Sequence, residues 1–446
     1  MTECNTDTLT LGRQGRRKIE ADFNGGRMIS DSGLLLLRQV DQHIGLTDAM
    51  AAAIHDPRDA TKIEHEQTAM LAQRVHAIAA GYEDLNDHQT LRSDPVLQLC
   101  AKVEPTEGQT LASPATLCRL ENRITRDDCV RLQQVLIDQF IASHKHPPTE
   151  LILDFDATDD PLHGQQEGRF FHGYYDRYCY LPLYVFCREQ LLVSYLRPSN
   201  IDGAKHARAI LKLLVDKLRA AWPKVKIIMR GDGGFCRWKL MRWCDRHDVG
   251  YILGLAKNKR LEAISEPFMQ QAESDFIATQ LKQRQFHAIT YAAKTWDRKR
   301  SVIVKAERLI EGPNLRFVVT NLQGEAQHLY DKIYCARGEM ENRIKEQQLG
   351  LFADRTSCSK MIANQLRLLL SSAAYVLMQT LRQTVLVDTE LAHAQVTTIR
   401  LKLIKIAARV VVSTRRIMLH LSSSCPMQPL WRRIAQRLNN MSFDTS

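Results

Sequence analysis

A chain of 446 residues, 44% hydrophobic and 25% charged, is ordinary globular material. It is long enough for about two to four domains and a core that needs no covalent staple. Its net charge of +11 suits a polyanionic partner, although a soluble enzyme that is merely basic reads the same way. Eleven scattered cysteines with no C-x-x-C pair argue against a disulfide framework or a structural zinc site and for a reducing compartment. The N-terminus lacks a signal-peptide layout. The apolar stretch 366–378 carries Arg367 and serines and falls short of the ~18–20 residues of a membrane span. The expectation is a cytoplasmic protein with no membrane partner.

Residues 1–150 read mostly as helix, with apolar residues at three- and four-residue spacing in Ser32–Asp41 and Ile63–Ala80. Turns fall at Asn24-Gly-Gly26, Asp94-Pro95 and Pro105, and Ser113-Pro114 has the order of an N-cap and first helical residue. The texture changes after His146-Pro-Pro148. Apolar and aromatic runs at 151–157, 178–187 and 190–196 predict strands, and Pro182 places the second at an edge or bulge. A helix over 202–222, a strand over 225–230, a helix over 235–247 and a strand over 251–256 follow. That succession predicts a mixed sheet covered by helices. Residues 259–324 read as hairpins, with strands at 286–291, 301–304 and 315–320. Helix returns over 325–350 and persists to the C-terminus.

Two of the strand-like runs deliver an aspartate: Leu151-Ile-Leu-Asp-Phe-Asp156 and Val225-Lys-Ile-Ile-Met-Arg-Gly-Asp232. Each alone is equally a turn or capping residue, and Glu341 alone is one more helix glutamate. If the two strands pair in parallel, their ends come within ~5 Å, and a helix across that edge can supply Glu341. Three carboxylates at one point repel one another unless a divalent cation lies between them. Two magnesium ions on such ligands are an apparatus for phosphodiester chemistry that needs no side-chain nucleophile. No Walker loop, dinucleotide fingerprint or G-x-S-x-G elbow competes with this reading.

These residues resemble the DDE transposases of bacterial insertion sequences, in the subgroup with a Tyr-Arg-Glu-Lys signature. LDFDATDDPLHGQQEGRFFHGYYDRYCYLPLYVFC is similar to that family's first catalytic block, RGDGGFCRWKLMRWCDRHDVGYILGLAKN to its second and YCARGEMENRIKEQQLG to its third. GYEDLNDHQTLRSDP and LASPATLCRLENR extend the likeness toward the N-terminus, so that it spans most of residues 80–360. The resemblance implies an α/β, RNase H-like mixed sheet interrupted by a β-rich insertion and flanked by helical N- and C-terminal regions. It implies Asp156, Asp232 and Glu341 as catalytic metal ligands for two Mg²⁺, with Mn²⁺ able to substitute. It also implies that Tyr334 and Arg337 contact phosphates of the transposon end; their spacing to Glu341 fits one helix face. The signature lysine seven residues after Glu341 is replaced by Gln348, which leaves Lys345 or Arg343 to take its place.

If such an enzyme processes its ends through a DNA hairpin, an aromatic residue of the insertion would stack on a flipped base. Trp296, among Lys294, Arg298, Lys299 and Arg300, is the candidate; otherwise it is a core tryptophan. Residues 396–446 hold nine Lys or Arg against the single acid Asp444. On a helix, Lys402, Lys405, Arg409 and Arg416 would form one stripe, either a DNA-tracking face or a solvated one. GRQGRRK at 12–18 is likewise a DNA-contacting arm or a tail.

The resulting expectation divides the chain into a helical DNA-binding and dimerisation region (1–150), the core's first part (151–258), a β-rich insertion (259–324), the core's final helix with Glu341 (325–360) and a basic helical region (361–446). The function is cleavage and strand transfer of an insertion sequence, with terminal inverted repeats and target DNA as partners and a homodimer in the DNA complex, acting in a bacterial cytoplasm. The alternatives are an RNase H-fold nuclease that only hydrolyses, and a DNA-binding derivative without catalysis.

Overall fold

The computed structural model describes residues 8–106 and 108–441. Alternating strand and helix after residue 150 builds one large mixed sheet. In spatial order its strands are Gln283–Tyr291, Arg300–Leu309, Arg316–Thr320, Gly250–Leu255, Lys226–Gly231, Glu150–Ala157, Leu183–Cys187 and Gln190–Tyr195, with the two-residue Gly312–Pro313 paired to Arg300–Leu309. The three central strands, Gly250–Leu255, Lys226–Gly231 and Glu150–Ala157, are mutually parallel, and every other pairing is antiparallel.

Period-two alternation assigns the two faces. Leu151, Leu153, Phe155, Ile227, Met229, Tyr251 and Leu253 enter one buried cluster, covered by helices that include Ala207–Ala221 and Trp238–Arg246. Ile152, Ile228 and Ile252 point to the other face, where they meet Ile303, Val318, Leu329 and Tyr330. Strands buried on both sides explain why the sequence runs here are almost continuously apolar.

The chain gathers into two compact units. One is drawn from Met1–Ala51, Asp56–Leu120 and Thr380–Ser446, the other from Ala52–His55 and Glu121–Gln379. These boundaries cut across the linear partition expected from sequence. Helix Arg126–Ala142 belongs to the sheet-bearing unit, where Gln133 bonds the Leu192 carbonyl and the Ser194 amide of the edge strand. Residues 361–379 belong to it as well. Helix Met361–Thr384 is long and apolar enough to cross a membrane by length and composition, but 78% of its apolar window is buried in the protein. Its Gln365 and Ser372 bond Ser194, and Tyr375 donates to the Glu189 carbonyl.

Three expectations need correction. Residues 259–324 carry the expected strands but do not read as hairpins throughout. They open with the 21-residue helix Lys259–Thr279, and their strands extend the central sheet, Arg316–Thr320 pairing with Gly250–Leu255. That helix buries only Leu261, Ser265 and Ala272 and carries Pro267, so its apolar periodicity is faint. Second, Pro182 splits the 178–187 run into Arg177–Tyr180 and Leu183–Cys187, which join different sheets. Third, the basic C-terminal helix stripe does not exist. Lys402 lies in a π-helical turn, Arg400–Ile404, whereas Arg409 and Arg416 lie on the antiparallel strands Ala408–Ser413 and Arg416–Leu421. Val410 and Ile417 sit at helical spacing while Val410 and Val412 sit at strand spacing, so the local pattern does not choose between the two. The GRQGRRK segment lies in an exposed hairpin, Leu9–Gln14 with Arg17–Ala21.

Candidate active site

Alternation along the central strands puts Ile152, Asp154 and Asp156 on one face, beside Ile228, Arg230 and Asp232 of the neighbouring strand. The parallel register pairs Asp154 with Arg230 and Phe155 with Gly231, so the next step brings Asp156 beside Asp232, just past the end of its strand. Asp232 is fixed by its own backbone, its Oδ1 accepting from the Gly234 amide at 2.9 Å as the cap of a short 3₁₀ turn.

One step below, Arg230 and Asp154 form a buried bidentate pair, with Nη2 to Oδ2 at 2.7 Å and Nε to Oδ1. The remaining Arg230 amino group donates to the Ile333 carbonyl. Burial pushes the Asp154 carboxyl upward, opposed by the hydrogen bond and charge of Arg230. Through Ile333 the pair reaches the third sequence block, which is helical but not uniform. Leu329–Tyr334 is a π-helical turn, Cys335–Arg337 a 3₁₀ turn and Gly338–Leu351 an α-helix. Such a change of pitch re-aims successive side chains.

Those side chains converge on the carboxylates. Arg337 lies 3.7 Å from Asp156 Oδ1 and donates to Glu341 Oε1 at 2.8 Å. Burial lowers its pKa, but Asp156, Glu341, Tyr334 and Asp232 together outweigh that effect and the net shift is upward. Tyr334 reaches across the next strand to Gly254. A Cβ on Gly254 would stand 2.7 Å from the Tyr334 hydroxyl and 2.8 Å from the Gly233 amide nitrogen, so only glycine fits. Asp156 is held at about 6, first by burial and further by the charges of Asp232 and Glu341, with Arg337 opposing. Its ionisation therefore senses both partner carboxylates. Hard oxygen donors of this kind suit a divalent cation such as Mg²⁺ or Mn²⁺. Among the described residues no three such side chains already form a ligand cage. Glu341 is turned to Arg337, whose guanidinium is the internal counter-charge.

The other expected site residues are distributed unevenly. Lys345 is exposed one turn beyond Glu341 on the same helix. Arg343 is engaged elsewhere, with Glu346, Glu189 and Glu339. Gln348, where the signature has lysine, donates to the Asp159 carbonyl at 3.1 Å and so steadies the chain just after Asp156. Trp296 is half-buried against the core, edge-on to Tyr291, with Arg300 5.8 Å from its ring centre. Lys402, Lys405 and Arg409 belong to the other unit, where Lys405 pairs with Asp31 at 2.8 Å and lies over the Tyr82 ring.

Sequence reasoning missed Arg230, Gly254 and the exposed Lys257 and Lys259, which follow the third parallel strand. Arg230 and Asp154 were detectable, because each stands two residues before a candidate carboxylate and hence on the same face.

Arg230→Met is expected to destabilise the fold by about 3–5 kcal/mol, because it strands a buried carboxylate. Arg230→Met with Asp154→Leu should regain most of that in urea unfolding, and equal losses in the single and double variants would refute the pairing. Asp156 gives a pH-dependent prediction. Its folded-state pKa is raised, so its stabilising contribution is complete below about pH 4 and is lost as pH rises through 6. Without divalent metal, Asp156→Asn should therefore be more stable than the parent at pH 7.5, by up to about 3 kcal/mol. That margin should shrink to about 1 kcal/mol at pH 4.5 and close by about pH 3; a margin indifferent to pH would contradict the assignment.

No protein of curated function matches the sequence. Among solved structures, a piggyBac transposase synaptic complex with hairpin DNA aligns with 80% of this chain and 77% of its own. The identity is 10% and the TM-score 0.40, too low to transfer any chemistry. The model of the family Transposase DDE domain group 1 matches residues 11–443, nearly the whole sequence. With its carboxylates at the ends of adjacent parallel strands, the chain belongs to the DDE transposase family.

Proposed function

We propose that this protein cleaves DNA at the terminal inverted repeats of an insertion sequence and joins the freed 3′ ends to target DNA, as a homodimer on DNA. The observation that carries this reading is the placement of Asp156 and Asp232 side by side, with Arg337 linking Asp156 to Glu341. The strand order supports an RNase H-like core. Strand Glu150–Ala157 is followed by two antiparallel neighbours on one side and by parallel strands Lys226–Gly231 and Gly250–Leu255 on the other.

Asp156, Asp232 and Glu341 would hold the divalent ions, two Mg²⁺ replaceable by Mn²⁺, which when bound polarise the attacking and leaving oxygens of a phosphodiester. The chain's own residues do the rest. Arg337, charged and partly buried beside Asp156 and Glu341, would donate to a phosphate held at the site. Tyr334 is pinned on Gly254 with its hydroxyl beside the Asp232 backbone, and fixes where that phosphate rests. Lys345, Lys257 and Lys259 add positive charge along the approach, which favours a polyanion without reading its sequence.

A supercoiled-plasmid assay with labelled element ends tests the proposal. Joined product in Mg²⁺ or Mn²⁺ is expected, whereas cut but unjoined ends would establish a hydrolytic nuclease instead. Glu341→Gln should abolish both steps and still shift end DNA in a gel. Arg337→Ala should weaken binding and lower the slope of log affinity against log salt by roughly one. End binding lost in Glu341→Gln would overturn this division of roles.

A further inference from the structure

Directly after Asp156 the chain forms a small three-stranded sheet, in the order Asp160–Pro161, Arg177–Tyr180, Phe170–His172. The sheet is anchored at both outer strands and at its centre by buried groups and backbone bonds. Tyr180 is buried and donates to the Glu167 carbonyl at 2.6 Å, and Ser199 bonds the Phe170 carbonyl at 2.9 Å. Its exposed residues are the reverse of a normal surface. Phe170, Phe171, Tyr174 and Tyr178 are exposed, Tyr174 at 85%, and they are four of the five exposed aromatic side chains among the described residues. The rings are ordered against one another, Phe171 edge-on to Tyr178 at 5.6 Å and Tyr174 edge-on to Tyr175 at 5.0 Å. Arg169 lies 3.7 Å above Tyr178.

The ribbon is tied to the carboxylates. Tyr175 donates to the Ala157 carbonyl, next to Asp156, at 3.4 Å, and Arg177 lies 3.8 Å from Asp159. A DNA strand with a phosphodiester at Asp156 would lie close to this ribbon. Bases inside a duplex have their faces covered, so flat apolar rings are complementary to bases that have left the stack. Aromatic stacking accepts any base, and arginine beside the rings suits the backbone.

From this juxtaposition we propose that the Phe170–Tyr178 ribbon is a single-strand platform, on which Phe171 and Tyr174 stack unpaired nucleobases next to the phosphodiester at the carboxylates. The inference rests on the transposase reading above. Its test uses the full chain without divalent metal and fluorescein-labelled dT15 as probe, read by anisotropy, together with the same strand carrying central abasic positions. Wild-type protein should bind dT15 more tightly than the abasic strand. Tyr174→Ala and Phe171→Ala should each lose about 5- to 100-fold in dT15 affinity, the worth of one stacked base. They should bind the abasic strand as wild type does, and Tyr174→Trp should retain affinity. Unchanged dT15 affinity in both alanine variants, or no wild-type preference over the abasic strand, would overturn the platform. So would a loss of self-association in sedimentation without loss of dT15 binding, which would mark these rings as a contact between copies. Plasmid joining by the wild type, measured in parallel, separates the failures. Joining with indifferent dT15 binding sinks the platform alone, and intact stacking without cleavage sinks the transposase reading.

Discussion

The guanidinium of Arg230 holds together the parts on which the site depends. It pairs in the protein interior with Asp154 of the adjacent strand and donates to the carbonyl of Ile333. One group thus fixes the relative position of both strands that deliver a carboxylate and of the helical segment that delivers Tyr334, Arg337 and Glu341. A buried ion pair gives little net stability, since desolvation offsets most of the attraction. Its value here is geometric, because any slip of one element leaves a charge in the core without its partner.

Above that pair the chemistry reverses. Asp156 and Asp232 are forced together by the register, and with Glu341 near, their charges disfavour one another. The fold tolerates the crowding through Arg337, a cation bonded to Glu341 and close to Asp156. One satisfied carboxylate at the lower step and mutually repelling ones at the upper step make the latter a place where an added cation is stabilised. Gly254 completes the arrangement by letting a tyrosine hydroxyl rest on the backbone.

Much of this was legible beforehand. The two aspartates ended apolar runs, and the third block's spacing of 334, 337 and 341 placed its residues on neighbouring positions of one helical segment, although a π turn and a 3₁₀ turn adjust the aim. The errors share one cause. Lys259–Thr279 buries so little that its helical period is weak, and the valine-rich 408–421 segment fits either period until a partner strand is known. Local pattern cannot choose where the deciding contact lies hundreds of residues away, as for Ala408–Ser413 pairing with Met28–Ile29.

By itself the sequence determined which residues carry charge into an apolar setting, and thereby the kind of chemistry to expect. Alternation along a strand is a local property of the backbone, so the faces of Asp154, Asp156, Arg230 and Asp232 were set before any packing. Tertiary structure decided what those residues meet: that Arg337 stands with the carboxylates, that Gln348 holds the Asp159 backbone, that strands 283–320 extend the sheet. Those outcomes depend on register and crossing between segments far apart in the chain, and each was chosen by the shared burial of surfaces that no single segment contains.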